Sequence, residues 1–309
     1  MTVASVQTHR GPAASAGTGY AMARMSKRRP RTTGSGARAT GRAALVLAAV
    51  LPFLVLAQVA QALPAPHIYW ANSLLSAIGE AKLDGTAVKQ HFIPGANGPY
   101  GVAVSGSYVY WANMDSNTIG RANLSGTGVT QRFIKGANQP TGVAVNGSHI
   151  YWANLGSNTI GEAKLNGTGV KQHFIGADDP YGVALEGSHI YWADLASRSI
   201  GRANLNGTGV RQRFISGANA PFGVAVSRSH VYWANLGSNT IGEAVLRGTQ
   251  IRQRFITGAH EPTGVAVDAS HLYWANAHAI AKATLNGTGV VQRLIRTHDP
   301  YGVAVSGDR

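Results

Sequence analysis

Cysteine is absent from the 309-residue sequence. No disulfide can staple the fold, no thiolate can hold a metal, and no cysteine nucleophile can act. The absence leaves the compartment open, because exported proteins also do without cysteine. Several catalytic signatures are missing too: no HExxH, GxSxG, P-loop or EF-hand spacing occurs anywhere. Acidic residues are scarce, 13 against 27 Lys and Arg, and the scarcity is uneven. Residues 1–66 contain eight Lys or Arg and no acid, so +8 of the formal net charge of +14 lies there and +6 in the remainder. The basic excess therefore belongs more to the leader than to the folded body, and nucleic acid is not the expected partner.

Residues 1–42 are rich in Ala, Gly, Thr, Ser and Arg without apolar periodicity, the composition of a disordered segment. Residues 43–60 are apolar except Gln58 and include Pro52. A basic flank, an apolar stretch and the small-residue exit Ala60-Gln61-Ala62 form a secretory signal peptide, with cleavage after Ala62. The rival reading is an uncleaved anchor, since about 18 apolar residues just span a bilayer. Met22 or Met25 is an alternative start, and Arg28-Arg29 lacks the apolar residues of a twin-arginine signal. Residues 63–66 are a short linker. Either reading of the leader puts the rest of the chain outside the cytoplasm, secreted or in the cell envelope.

What is present is a repeat. Tyr-Trp occurs at Tyr69-Trp70, Tyr110-Trp111, Tyr151-Trp152, Tyr191-Trp192, Tyr232-Trp233 and Tyr273-Trp274, which uses all six tryptophans. The spacings are 41, 41, 40, 41 and 41 residues. A period near 40 means a solenoid, a propeller or an array. Each unit holds four short apolar runs, in the second unit residues 101–104, 108–112, 118–124 and 129–134, the pattern of antiparallel strands. Pro99 leads the first, a position that suits a residue unable to donate to a ladder. Asn-Gly or Ser-Gly turns, as in Asn166-Gly167-Thr168-Gly169, join the third and fourth, and both turn residues are expected to accept positive φ.

Ile150-Tyr151-Trp152-Ala153 is apolar at consecutive positions, so this strand is expected to be buried on both faces. The fourth strand alternates, with Val170, Gln172 and Phe174 against Lys171 and His173, as a half-exposed strand does. The first carries Gly and Ala, small enough for a crowded axis. Four strands running from a tight centre to a wet rim make one propeller blade. Six Tyr-Trp strands match six Pro-x-Gly-Val-Ala strands, the last at residues 300–304, provided that the last one fills the innermost place of the blade begun at His67. The expected fold is therefore an all-β, six-bladed propeller over residues 67–309, closed by its C-terminal strand. The residue after Ile-Gly alternates in sign, Glu80, Arg121, Glu162, Arg202 and Glu243, with Lys282 in the sixth place. Such alternation closes without a clash only in an even ring, which predicts charge pairing between neighbouring blades.

These motifs, with Ile-Gly-Arg-Ala-Asn-Leu-Ser-Gly-Thr at 119–127 and Pro-x-Gly-Val-Ala-Val, resemble the YWTD family, the six-bladed propellers of low-density-lipoprotein-receptor type. The resemblance covers about residues 67–309. It departs in having Ala-Asn for Thr-Asp, with only Asp194 keeping the acid; Asn72, Asn113, Asn154, Asn235 and Asn276 then stand in for a hydrogen-bond partner within the blade. The resemblance implies binding of a protein ligand on one face, without catalysis and without a cofactor. The cysteine-rich modules of such receptors are absent, so receptor function does not carry over, and the leader composition fits a bacterial source.

Of the eleven histidines, His67, His149, His189, His230 and His271 precede the Tyr-Trp strand in the same slot and are expected to be scaffold. His260, His278 and His298 break the pattern. No carboxylate cluster sits on the inner strands, as a lactonase-like central metal would need, and no metal site is expected. The loop entering each inner strand does vary, and in a propeller it opens at the mouth of the central channel. Tyr100, Asp178, Asp179, Tyr181, Phe222, His260, Glu261, His298, Asp299 and Tyr301 there form the candidate ligand-binding ring, since aromatic anchors dominate binding hot spots. The competing reading is that these side chains only seal the channel. Lys89, His91, Arg132, Lys171, His173, Arg211, Arg213, Arg252, Arg254 and Arg293 form a basic belt on the outer strands. It either holds an anionic envelope polymer or guards the edges against aggregation. The expected protein is thus a monomeric, exported binding or scaffold module, with a propeller lyase or lactonase acting at the channel mouth as the alternative.

Overall fold

The structure is a computed structural model that describes residues 65–307. The leader, with its signal-peptide or anchor reading, lies outside the described residues. The chain forms 24 strands in six four-stranded antiparallel sheets. Numbered from the N-terminus, blade II contains Pro99–Ser105, Tyr108–Asn113, Thr118–Asn123 and Thr130–Lys135. Blade IV contains Pro180–Glu186, His189–Asp194, Ser199–Asn204 and Arg211–Ser216. Blades III and V repeat this plan. Blade VI starts on a shorter inner strand, Val265–Val267.

Alternation along each Tyr-Trp strand explains why both of its faces are buried. The Tyr side chain packs toward one neighbouring blade and the Trp toward the other. Each of six hydrophobic clusters accordingly joins the Tyr of one blade to the Trp of the next, as Tyr110 joins Trp152 and Tyr273 joins Trp70. All six tryptophans are fully buried. The core is therefore a ring of seams between blades. In five blades the indole lies over the glycine opposite it in the third strand, where a Cβ would overlap the ring. Blade VI places Ala281 there, opposite Trp274.

Closure is by the C-terminal strand. Pro300–Val305 pairs antiparallel with His67–Asn72, through Ile68 with Val305 and Trp70 with Val303. The Ser306 N–H donates to the His67 carbonyl at 2.9 Å, and Gln90 Nε2 donates to the Arg296 carbonyl at 2.8 Å, 206 residues away. A similar glutamine bond crosses four further seams, for example Gln131 Nε2 to the Pro94 carbonyl at 3.0 Å.

Two expectations are corrected. The alternating charges are balanced inside blades and not between them. Glu80, Glu162 and Glu243 pair with Lys89, Lys171 and Arg252 of their own outer strands, while Arg121 and Arg202 stack on Phe133 and Phe214 of theirs. The partner across the hairpin is simply nearer than the next blade. In the turn at residues 166–169 only the glycines take positive φ, 82° at Gly167 and 65° at Gly169, and Ala87 and Gln250 take it at the second glycine's place in blades I and V. Asn166 instead caps the turn, its Oδ1 accepting the Thr168 N–H at 3.1 Å.

Candidate functional site

The variable loops sit where the outer strand of one blade crosses to the inner strand of the next. In blades I to V the ladder between the inner and second strands breaks at a β-bulge just after the proline, between Pro99 and Val102 in blade II and between Pro180 and Val183 in blade IV. A bulge re-aims side chains and is common beside functional sites. Here it turns the residue after each proline toward the axis. The following glycines make the approach possible: a Cβ on Gly182 would stand 2.7 Å from Val224 N and 2.8 Å from Phe222 O of the next blade.

In blade order the residues around the axis are Tyr301, Tyr100, Thr141, Tyr181, Phe222 and Thr263. Aromatics therefore come as two adjacent pairs separated by two threonines, a pseudo-twofold arrangement on a sixfold frame. Tyr100 and Tyr301 lie 4.3 Å apart between ring centroids, Tyr181 and Phe222 lie 4.2 Å apart, and Phe222 reaches across to Tyr301 at 6.2 Å. Each threonine is tied to the next blade: Thr141 Oγ1 donates toward the carbonyls of Pro180 and Tyr181 at 3.0 and 3.1 Å, and Thr263 Oγ1 toward those of Pro300 and Tyr301 at 3.0 Å. Burial pushes the Tyr100 and Tyr181 hydroxyls up from their ordinary pKa, with neighbouring Tyr301 adding to both. They are uncharged phenols at neutral pH.

Below the aromatics lies a cavity of about 40 Å³ lined by the ring residues and their glycines, room for a few water molecules. Above them, a pocket of about 230 Å³ opens on the side where Thr263 replaces an aromatic. Tyr100, Tyr181, Phe222, Tyr301, Glu261 and Asp299 line it, together with Leu236 and Ala277. Six of the ten candidate residues thus come together. Asp178, Asp179, His260 and His298 stand in the same loops but do not line the pocket. Asp178 and His260 are exposed, and their N–H groups donate to Asp194 and Asn276. Burial and the neighbouring Asp178 hold the Asp179 carboxyl above its ordinary range.

The repeated histidines behave as scaffold, each packed beside its own tyrosine, as His149 lies 6.2 Å from Tyr151. Among the described residues no three His, Asp or Glu side chains are grouped as a metal would require. The blade asparagines do hold the mouth loops: Asn113 Oδ1 accepts the Asn97 N–H at 2.9 Å, and Asn154 Oδ1 accepts that of Asn138 at 2.9 Å. Sequence reasoning missed the two threonines and the seam glutamines. The glutamine was visible as a residue present in every outer strand; the threonines looked like gaps in an aromatic series.

The fold is a six-bladed propeller of four-stranded antiparallel blades. Residues 188–226 match the family model described as low-density lipoprotein receptor repeat class B. No curated protein matches the chain in sequence. Among solved structures, a chain of the nidogen/laminin complex aligns at a TM-score of 0.63 and 20% identity, over 79% of this chain and 100% of that one. A catalytically inactive virginiamycin B lyase from Staphylococcus aureus with quinupristin aligns at 0.59 and 18%, over 76% and 84%. A gluconolactonase from Xanthomonas campestris aligns at 0.57 and 14%, over 76% and 86%. At these identities the likeness is one of fold.

Proposed function

We propose that the chain is an exported, non-catalytic binding module that recognises a protein partner outside the cytoplasm through the channel-mouth face. The observation that carries this is the pocket itself. Four half-buried aromatic rings, locked in pairs, wall a space of about 230 Å³ whose rim carries Glu261 and Asp299. Aromatic anchors held rigid before binding, with polar groups at the edge, are what a protein interface core requires. Sealing the channel would not need the pocket above the rings. The partnership of nidogen with laminin on a related fold supports the same reading. The enzyme reading needs a proton donor and acceptor converging on one reacting atom; of its candidates Glu261 and Asp299 line the pocket, while His260, His298, Asp178 and Asp179 do not.

The test is site-directed photocrosslinking in envelope and culture fractions. A photoreactive residue at Phe222 captures a defined protein partner, and one at Val170, in an exposed turn far along the blade, does not. Equal capture from both positions contradicts the reading.

A further inference from the structure

In three blades a third-strand glutamate faces the basic residue of its own outer strand. In blade III, Glu162 Oε2 accepts from Lys171 Nζ at 2.9 Å and Oε1 lies 3.9 Å from His149 Nε2. Blade V repeats this with Glu243, Arg252 and His230, and blade I pairs Glu80 with Lys89. Blade IV keeps the flanking basic groups, His189 and Arg211, but puts Arg202 where the glutamate stands. The register sets Arg202 directly opposite both Tyr191 and Arg211. Like charges so placed destabilise a sheet. Blade II avoids the conflict by another route: Arg121 faces Thr130 and stacks between Tyr108 and Phe133, 4.6 and 4.0 Å from the ring centroids.

Arg202 stacks on Phe214 at 4.2 Å and sits close enough to Tyr191 to oppose the burial that raises that residue's hydroxyl pKa. Yet Arg202 Nε is the one buried side-chain nitrogen or oxygen among the described residues with no hydrogen-bond partner. A buried donor without a partner marks a missing acceptor, water or ion. Burial and the Arg202 charge hold the His189 imidazole below its ordinary pKa, so it adds no charge at neutral pH. Glu186 pairs in register with His189, yet no ion pair to it forms among the described residues. Glutamate with lysine is neutral in blade III, whereas Arg202 with Arg211 leaves two positive charges. A dianion restores the balance.

We propose that Arg202 and Arg211 on the rim of blade IV form a binding site for a dianionic phosphate group, free or as a terminal monoester. Exposed Arg211 provides access, and guanidinium forks suit phosphate oxygens. The site lies on the outer strands, apart from the channel mouth, and is independent of what binds there.

The experiment is calorimetric titration of the full chain in chloride buffer at constant ionic strength, with inorganic phosphate and with glycerol phosphate. The wild type binds one equivalent saturably. Arg211→Thr, which installs the residue that blade II uses, weakens binding about tenfold, the loss of one charge-assisted hydrogen bond. Arg254→Thr, an equal charge change on blade V, leaves it unchanged. Arg202→Glu rebuilds the pattern of blades I, III and V, abolishes binding and raises the Tm in chloride. Binding of both probes supports a site for an esterified phosphate, and binding of inorganic phosphate alone supports a site for the free ion. Absence of saturable binding, or equal weakening by the Arg211 and Arg254 variants, overturns the proposal.

Discussion

The indole N–H of Trp192 donates to Oδ2 of Asp194 at 2.8 Å, while the Asp178 N–H donates to Oδ1 at 3.0 Å. Asp194 is fully buried at the position where five blades carry asparagine. In blade III the asparagine Nδ2 also donates to the Gln172 carbonyl at 2.9 Å, which an ionised carboxylate cannot do. Burial raises the Asp194 pKa to about 7 against these two donors.

The folded state therefore holds a proton that the unfolded chain releases at the usual carboxylate pKa. The stabilisation is full below the unfolded value and is lost as pH rises from about 4 to about 7. Each pKa unit is worth about 1.4 kcal/mol, so the effect is at most about 4 kcal/mol. Asp194→Asn is expected to raise the urea midpoint at pH 8 and to change it little at pH 4. Parallel pH profiles for the two proteins would contradict this account.

Gly182→Ala forces a Cβ against the backbone of the adjacent inner strand, where no side chain can swing aside. The expected cost is about 3 kcal/mol, the upper end of ordinary overpacking. Denaturant unfolding checks it, with Gly106→Ala, in an exposed turn with no neighbour within 4 Å, separating the clash from the strain of an alanine at φ 58°.

Closure places Thr297 Oγ1 3.0 Å from Trp70 Nε1 and 3.2 Å from Asn72 Nδ2, more than 220 residues away in sequence. Thr297→Val leaves two buried donors without this acceptor and is expected to cost about 1–3 kcal/mol. Thr130→Val, at an exposed strand position, stays within about 0.5 kcal/mol of wild type. Equal Tm changes in the two variants would show that the closing seam carries no special share of stability.

Much of the fold was legible because each level repeats the same constraint. A strand buried on both faces reads as Ile-Tyr-Trp-Ala, and a strand at the axis reads as Gly-Val-Ala. Six of each, offset by one strand, already imply closure by residues 300–304. The candidate site was legible only as a set. That Tyr100 meets Tyr301 depends on ring order, which joins residues 201 positions apart. The roles of Thr141 and Thr263 depend on carbonyls freed by the bulge of the next blade, and no residue pattern announces those. The sign alternation misled because cross-strand neighbours nine residues apart satisfy each other first.

The most direct test of the channel-mouth account is partner capture by the full chain from envelope and culture fractions. It is run beside a variant with Tyr100, Tyr181 and Tyr301 changed to alanine, after circular dichroism and thermal melting confirm that the variant folds. The account predicts a protein retained by the parent and lost by the variant. Equal retention by both would contradict it and remove the aromatic ring as the binding site.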